Sequence, residues 1–235
     1  MSEQVHDIFS RVAPRYDLAN TVLSFGIHFW WKKRAAELSG AGPGDRVLDC
    51  ATGTGDLALL FAQLVRGSGE VVACDFNEEM LDRARKKEKR ARHSVPIDWD
   101  RQDVLEMTYE DDSFDVAAIG YGIRNVDDPQ KALAEMARVV KPGGRVVVLE
   151  FGQPDGVLAP IYRAYSSYVL PTVGGLLAGD RDAYAYLDET SRSFPSGDDF
   201  LDMMRETGDF DTLRFTPLTG GISWLYRGSV RGEAV

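Results

Sequence analysis

Short apolar runs alternate with longer amphipathic stretches along the middle of the chain, from residue 45 to residue 151. The runs are rich in Val, Leu and Ala and predict strands at Arg46–Cys50, Glu70–Cys74, Pro96–Trp99, Phe114–Ile119 and Arg145–Phe151. The stretches between them have apolar positions at helical spacing and predict helices at Asp56–Val65, Glu78–Arg92 and Pro129–Val140. Apolar strands that alternate with helices indicate a mostly parallel sheet with helices on both faces, the Rossmann-like, doubly wound α/β fold.

Three further segments flank this predicted core, which spans residues 45–151. Residues 1–40 predict two helices, the second of which ends near Gly40. Residues 152–197 combine many tyrosines with Pro and Gly and indicate a partly helical insertion. Residues 198–230 predict a helix and a strand pair: Asp198–Gly208, then Asp211–Leu218 and Ile222–Gly228 around a turn at Gly220-Gly221. We expect the 235 residues to form one domain.

The charge balance argues against one class of partner. The chain has 37 acidic and 27 basic residues and a net charge of −10, which repels polyanions and disfavours a broad nucleic-acid-binding surface. The basic stretch Arg83–Arg92 has only a thin apolar stripe, so we interpret it as the solvated face of a helix. The three histidines, His6, His28 and His93, lack the spacing of metal ligands, and we expect no metal site.

The sequence also predicts where the protein resides. Residues 1–9, MSEQVHDIF, lack the basic start and apolar stretch of a signal peptide, and no window has about 18 consecutive apolar residues. Cys50 and Cys74 lie in apolar runs and are too few for a disulfide scaffold, so we expect free core thiols in a reducing compartment. These features predict a cytoplasmic protein. They leave room for peripheral contact with the inner face of the membrane and for a homodimer.

The first strand leads into the most specific local signal, the segment Asp49–Asp56, whose sequence is DCATGTGD. Gly53 and Gly55 let the backbone come close to a ligand where a Cβ would obstruct it. They lie at the carboxyl end of a predicted strand, which is where doubly wound folds bind ligands. Asp75 ends the second strand about 20 residues further on, where an acid can accept both hydroxyls of a ribose.

This segment does not fit a dinucleotide. The dinucleotide fingerprint needs a third glycine, and Asp56 at the start of the helix would repel a pyrophosphate. A cationic nucleoside without phosphates fits better, with Asp49 and Asp56 near a sulfonium and amino-acid end and Asp75 near the ribose. The alternative is purely structural: the glycines form a tight turn and Asp56 caps the helix.

Two loops complete the predicted nucleoside pocket. Asp103 follows the third strand and can accept a hydrogen bond from an adenine amino group, while the backbone amide of Val104 can contact the ring. A turn or helix-cap role for Asp103 is the alternative. Gly120-Tyr121-Gly122 follows the fourth strand and provides small residues where a ligand crosses the edge of the sheet.

Taken together, these motifs resemble the class I S-adenosylmethionine-dependent methyltransferases and, more narrowly, the ubiquinone/menaquinone biosynthesis C-methyltransferase family. The resemblance begins at Val5 and extends over nearly the whole chain. The first-turn glycines and Lys141-Pro142-Gly143-Gly144 occur in many methyltransferases. Three other segments are more selective for the family: Tyr16-Asp17 with Asn20, Gly122-Ile123-Arg124-Asn125-Val126, and Tyr184–Leu187 with Phe194-Pro195. One departure is Gly120, where relatives often have a serine, so this position has no hydroxyl to contact a ligand.

The resemblance implies a cofactor, an acceptor and a set of contacts. The cofactor is S-adenosylmethionine, and the expected contacts are Asp49, Gly53, Thr54, Asp75, Asp103 and Val104. The acceptor is a polyprenylated quinol, most closely demethylmenaquinol; a benzoquinol precursor of ubiquinone and other phenolic or lipid acceptors stay open. A nucleotide-dependent oxidoreductase is disfavoured because the third fingerprint glycine is missing, and a non-enzymatic cofactor-binding protein is a further alternative.

Methylation of a quinol carbon needs a group that stabilises the ionised hydroxyl beside it. Arg124 is our candidate for this role, directly or through a water, and Asn125 adds an amide next to it. The alternative for Arg124 is a structural ion pair with Asp127 or Asp128.

The segments on either side of the core suggest how the site is covered. We expect residues 1–40 to fold over the cofactor as a lid, with Tyr16 touching the ligand; helix packing against the core is the alternative. The tyrosines of residues 152–197 either line a channel for an isoprenoid tail or belong to an ordinary core.

Overall fold

The computed structural model describes residues 8, 10–11, 13–154, 156, 158–169, 172–173 and 189–232. Val5 and His6, and within the predicted insertion the segment Tyr184–Leu187, lie outside the described residues.

A seven-stranded sheet forms the centre of the molecule, in the order β3-β2-β1-β4-β5-β7-β6. Strands β1 to β5 are parallel, while β7 runs antiparallel to both β5 and β6. The strands are β1 (Arg46–Cys50), β2 (Glu70–Asp75), β3 (Ile97–Arg101), β4 (Phe114–Gly120), β5 (Val140–Phe151), β6 (Phe210–Leu218) and β7 (Ser223–Val230). The strand order reverses between β1 and β4, and this switch point is where doubly wound folds bind ligands.

Seven helices are described, together with short 3₁₀ turns at Ala13–Arg15, Ile123–Asn125 and Thr219–Gly221 and a π-helical turn at Tyr165–Val169. The helices are α1 (Tyr16–Leu23), α2 (Ile27–Ser39), α3 (Asp56–Leu64), α4 (Glu78–Glu88), α5 (Pro129–Val139), α6 (Leu158–Ala164) and α7 (Asp198–Glu206). None of the described helices is long and apolar enough to cross a bilayer.

The core lies on both faces of the sheet, because successive side chains of each strand point in opposite directions. Val47 and Val116 pack with the apolar sides of α2 and α3 on one face. Leu48 and Ile119 pack with α5 and α7 on the other face. The predicted doubly wound α/β fold, with a mostly parallel sheet and helices on both faces, is therefore confirmed.

Local capping explains where several helices begin and end. The side chain of Asn77 accepts from the amides of Glu79 and Met80 at the start of α4. Asp128 caps α5 in the same way, with Pro129 at the first helical position. Gly40 ends α2 in the left-handed conformation, at the predicted place.

Two element boundaries differ from the prediction by four residues or more. Helix α4 ends at Glu88 instead of Arg92, because the Glu88 carboxylate accepts from the Trp99 indole N–H at 2.7 Å and from the Ile97 amide at 3.2 Å. This ties the end of the helix to β3. Strand β5 begins at Val140, which pairs with Phe114 across an irregularity in the register.

Candidate active site

A cavity of about 420 Å³ opens at the carboxyl ends of the strands around the switch point, within the size range of small-molecule sites. The β1–α3 turn, the end of β2, the loop after β4 and helices α1 and α2 form its walls. Six of the nine predicted catalytic and cofactor contacts line it: Tyr16, Gly53, Thr54, Asp75, Arg124 and Asn125. Asp49, Asp103 and Val104 lie outside the lining.

The two glycines of the turn between β1 and α3 have different roles. Gly53 is in the left-handed region with φ of 59°, and a Cβ on it would meet nothing within 4 Å. It therefore presents bare backbone to the cavity. A Cβ on Gly55 would lie 2.5 Å from the Trp99 ring, so packing against that side chain requires the glycine. The expectation that Gly55 serves ligand approach is corrected accordingly.

Asp75 ends β2 at the edge of the cavity, and backbone amides fix its carboxylate. Its Oδ2 accepts from the Gly53 amide at 2.7 Å, and its Oδ1 accepts from the Asn77 amide at 2.8 Å. A carboxylate oxygen can accept more than one hydrogen bond. The arrangement thus leaves capacity for a diol such as a ribose while preventing rotation of the carboxylate.

An ion-pair network joins the N-terminal helix to the first turn. The Thr54 hydroxyl donates to Asp17 Oδ1 at 2.6 Å and accepts from the Lys87 ammonium at 2.9 Å. Lys87 also contacts Asp17 Oδ2 and Asp56 Oδ1, both at 2.7 Å. These contacts hold α1 against the mouth of the cavity, as a lid requires; the lid itself stays a prediction.

Asp56 differs from its expected role near a sulfonium. One of its oxygens contacts Lys87, and the other contacts the Lys32 ammonium at 2.7 Å. Burial alone would raise the pKa of Asp56, but Lys32 and Lys87 hold it below its ordinary value. The carboxylate is therefore already neutralised by two lysines.

Lys32 is a site residue that the sequence interpretation missed. Among the described residues that line the cavity, it and Arg124 are the two cations. Burial lowers the pKa of Lys32, but Asp56 and Tyr16 outweigh this effect and raise it above its usual value, so the ammonium stays charged. The sequence does contain a signal for Lys32. It follows His28 by four residues, and residues four apart lie on the same face of a helix, here the face that lines the cavity.

Asp49 is buried beneath the first turn, and its Oδ2 accepts from the Thr52 hydroxyl at 2.5 Å. Burial raises the pKa of Asp49 to about 7, against the opposing effects of Thr52 and Lys32. Its charge state therefore changes close to neutral pH.

Arg124 forms a buried ion pair with Glu150, and not with the Asp127 or Asp128 considered from the sequence. Its Nη1 contacts Glu150 Oε1 and donates to the Tyr121 carbonyl at 3.2 Å. Glu150 is 1% exposed, and burial raises its pKa although Arg124 counteracts this effect. The Nε of Arg124 has no hydrogen-bond partner among the described residues.

Aromatic rings form the wall beside this ion pair. Tyr121 has a left-handed φ of 60° and stacks on Phe151 with ring centroids 4.3 Å apart. Trp31 meets Phe151 edge-on at 6.1 Å. Asn125 lies in the same turn, and its Oδ1 has no hydrogen-bond partner within the described part of the chain. Strained backbone at a site with unpartnered polar atoms is typical of a ligand-binding position, here one suited to a flat ring.

The loop after β3 contains the two predicted adenine contacts, Asp103 and Val104, and both have local structural roles. Asp103 Oδ1 accepts from the Leu105 amide at 3.0 Å, which is the turn geometry considered as its alternative. Val104 is buried in the core. Adenine contacts by these two residues stay a prediction.

Within the described residues, no group of three or more His, Cys, Asp or Glu side chains is placed to hold a metal ion.

Solved structures of other proteins share this fold. One is a S-adenosylmethionine-dependent methyltransferase from Thermotoga maritima, described as a possible histamine N-methyltransferase; its TM-score is 0.67 at 20% identity, over 96% of this chain and 99% of that chain. Another is phosphoethanolamine N-methyltransferase 2 from Haemonchus contortus, with a TM-score of 0.62 at 16% identity, over 86% of this chain and 52% of that chain. The chain therefore has the doubly wound α/β fold of these methyltransferase structures.

The chain belongs to the ubiE/COQ5 methyltransferase family, whose model matches residues 1–229. It is similar to the ubiquinone/menaquinone biosynthesis C-methyltransferase UbiE of Bdellovibrio bacteriovorus, with 48% identity over 230 residues that cover 97% of both chains. The enzyme of the same name from Proteus mirabilis is 44% identical over 227 residues, which cover 95% of this chain and 89% of the relative. The family resemblance stated from the motifs is confirmed.

Proposed function

We propose that the protein transfers the methyl group of S-adenosylmethionine to a ring carbon of a polyprenylated quinol, most closely demethylmenaquinol. The observation that carries this proposal is the continuity of the cavity: the Gly53 and Asp75 end fits a nucleoside, and the Tyr121 and Phe151 end fits a flat ring. The names of the relatives support a quinone-pathway acceptor. A benzoquinol precursor of ubiquinone is the alternative acceptor.

The residues present fit S-adenosylmethionine. Asp75 is oriented to accept the ribose hydroxyls, and the bare backbone at Gly53 allows close approach. Lys32 supplies a charged ammonium for the carboxylate of the amino-acid end. Asp49 supplies a carboxylate beneath the first turn, and we expect its negative charge to favour a cationic ligand. Thr54, Asp103 and Val104 are further predicted contacts.

S-adenosylmethionine supplies the methyl group as an electrophilic carbon on a positively charged sulfur. The chain contributes the alignment: Trp31, Tyr121 and Phe151 hold the acceptor ring, and α1 with Tyr16 excludes water. Arg124 and Asn125 present a guanidinium and an amide on one side of the ring, where they stabilise negative charge on a quinol oxygen.

The exposed surface near the cavity fits a lipid-borne acceptor. Phe25, Phe29 and Trp30 are large apolar side chains left exposed on α1, α2 and the turn between them, and Leu18 and Val22 extend this surface. Tyr162 and Tyr165 of the insertion line the cavity, and we propose that they guide the isoprenoid tail. These exposed side chains support our proposal that a cytoplasmic enzyme makes peripheral contact with the inner face of the membrane. A homodimer stays a prediction.

The acceptor is tested by incubating the full chain with methyl-labelled S-adenosylmethionine and either demethylmenaquinol or the benzoquinol precursor, both freshly reduced. We expect label in the demethylmenaquinol product, with the benzoquinol labelled less efficiently as measured by kcat/KM. The oxidised quinones are the matched controls, because without a hydroxyl proton to lose they cannot supply the nucleophilic carbon. Label in neither quinol would overturn the proposed substrate class.

The raised pKa of Asp49 predicts that binding of S-adenosylmethionine is linked to protons. Below pH about 7 the empty site holds Asp49 protonated, and the positive charge of the ligand lowers that pKa. Binding should therefore release close to one proton at about pH 6, and the affinity should rise by up to about tenfold per pH unit before levelling off above 7. Isothermal titration in buffers of different ionisation enthalpy measures both quantities.

Two variants test whether Asp49 is the group that releases the proton. Asp49→Asn removes the titrating carboxylate, and Asp98→Asn, at an exposed position of β3, is the matched control. Asp49→Asn should abolish the proton release, whereas Asp98→Asn should leave it unchanged. Equal proton release in both variants would show that another group titrates.

A further inference from the structure

His28 is a buried histidine that the mechanism above does not use. It lies in the first turn of α2, is 5% exposed, and lines the cavity. Its Nδ1 lies 2.6 Å from the Ser24 hydroxyl oxygen. The structure shows no hydrogen bond from its Nε2 to any described residue, so this nitrogen is left for a ligand.

A short chain of hydrogen bonds fixes which nitrogen carries the proton. The Ser24 hydroxyl donates its one hydrogen to the Asn20 carbonyl oxygen at 2.6 Å, and a carbonyl oxygen can only accept. Ser24 must therefore accept from His28, which makes Nδ1 the donor. In the neutral ring Nε2 then carries the lone pair and is an acceptor, on a residue that lines the cavity.

The surroundings keep this imidazole neutral. Burial lowers the pKa of His28 to about 4, and Lys32 contributes in the same direction. The other charged groups that face it are Asp56 of α3 and Asp17 of α1, which raise the pKa, and Lys87 of α4, which lowers it. Above pH about 4 the ring is a proton acceptor.

From this geometry we infer that His28 is a catalytic base, whose Nε2 takes the hydroxyl proton of the quinol. The inference rests on the proposed function. As the O–H bond breaks, its electron pair moves into the ring, the adjacent carbon bonds to the methyl carbon, and the methyl–sulfur bond breaks with its electrons left on the neutral sulfur. The methylated carbon then loses its hydrogen as a proton, and the imidazolium returns its own proton to the ring oxygen. One proton is released overall, so atoms and charge balance.

This role differs from that of Arg124. The guanidinium cannot accept a proton, whereas the neutral imidazole can. We expect the two residues to act on the same oxygen, one by stabilising its charge and the other by removing its proton.

The decisive variant is His28→Asn, because an asparagine can still donate to Ser24 and has no atom in place of Nε2. With reduced acceptor and saturating S-adenosylmethionine, we expect kcat to fall by about 10² to 10⁴-fold. The Kd for S-adenosylmethionine should change by less than about threefold, and added imidazole should restore part of the rate. His93→Asn is the matched control, because His93 lies outside the cavity lining. The kcat of this variant should equal that of the parent.

Two readouts separate this inference from a structural role. The kcat of the parent should stay constant down to pH about 5 and fall as pH approaches 4, and His28→Asn should lack that decline. The 15N spectrum of histidine-labelled protein without ligand should show His28 neutral at pH 6 with its hydrogen on Nδ1, and Ser24→Ala should shift this tautomer balance. The expected pH values follow from the His28 pKa of about 4.

Three results would overturn the inference while leaving the proposed function intact. They are a His28→Asn variant that keeps kcat within threefold of the parent, a ring hydrogen found on Nε2, and a rate loss that tracks a loss of thermal stability measured by circular dichroism. If the parent itself methylates no quinol, the proposed function fails instead. The 15N measurement would still report which nitrogen of His28 carries the hydrogen, because it needs no turnover.

Discussion

Asp75→Ala is expected to weaken the binding of S-adenosylmethionine by about 10² to 10³-fold. The carboxylate is held by the amides of Gly53 and Asn77, and it faces the nucleoside end of the cavity. A hydrogen bond to a charged group contributes about 1.5–3 kcal/mol, so two ribose bonds contribute about 3–6 kcal/mol, and the expected loss corresponds to the lower part of that range. The Gly53 amide also loses its acceptor, which loosens the turn. Isothermal titration of the full chain measures the Kd.

Two further variants show whether this loss belongs to the carboxylate. Asp75→Asn keeps the shape but presents a donor in place of one acceptor oxygen, so we expect a smaller loss of affinity than with alanine. Asp98→Ala removes an exposed carboxylate from the neighbouring strand β3 and should bind like the parent. An Asp75→Ala variant that is folded and binds within threefold of the parent would remove the ribose assignment.

The parts of the fold that could be predicted rest on local patterns. The alternation of apolar strands and amphipathic helices gave the doubly wound core, because burial on both faces forces the composition of each strand. Gly40, Asp128 and Pro129 marked helix ends in the expected way, since capping depends on a few neighbouring residues. The nucleoside end of the cavity could be predicted for the same reason. Gly53 lies in the turn after β1 and Asp75 ends the adjacent parallel strand β2, and parallel strands end at the same edge of the sheet.

The parts that could not be predicted depend on partners distant in the chain. Lys32 and Glu150 were missed because a charged residue in a sequence gives no sign that the fold will bury it with a partner. Gly55 was predicted to allow close approach of the ligand, whereas the structure requires a glycine there because the Trp99 ring of β3 packs against it. The order of the last two strands could not be predicted either. β7, and not β6, pairs with β5, and the pattern of apolar and polar residues does not determine which strand of this hairpin joins the sheet.

Arg124→Met is expected to lower the free energy of unfolding by about 3–5 kcal/mol, because it leaves the carboxylate of Glu150 buried without its cation. Surface pairs do not behave in this way: Arg205→Met removes an exposed partner of Asp202 and should cost less than about 1 kcal/mol. Urea unfolding of the two variants and the parent measures the difference.

The stability deficit of Arg124→Met should depend on pH with a definite sign. Burial already raises the pKa of Glu150, and loss of the guanidinium raises it further in the folded state. The folded protein then binds a proton more tightly than the unfolded chain does. The deficit should therefore be small below pH about 4, where both states are protonated, and grow as pH rises through the folded pKa. A deficit independent of pH would mean that lost packing, and not the unpaired charge, is responsible.

A double variant separates the structural effect of Arg124 from its chemical one. Arg124→Met combined with Glu150→Gln removes both charges, and we expect it to recover most of the lost stability, as replacement of buried ion pairs by neutral side chains often does. Its kcat should stay at least about 10²-fold below that of the parent, because no guanidinium remains to stabilise charge on the quinol oxygen. A double variant that regains both stability and kcat would show that Arg124 only neutralises Glu150, and the stabilisation of the quinol oxygen would then have to come from Asn125 or another group.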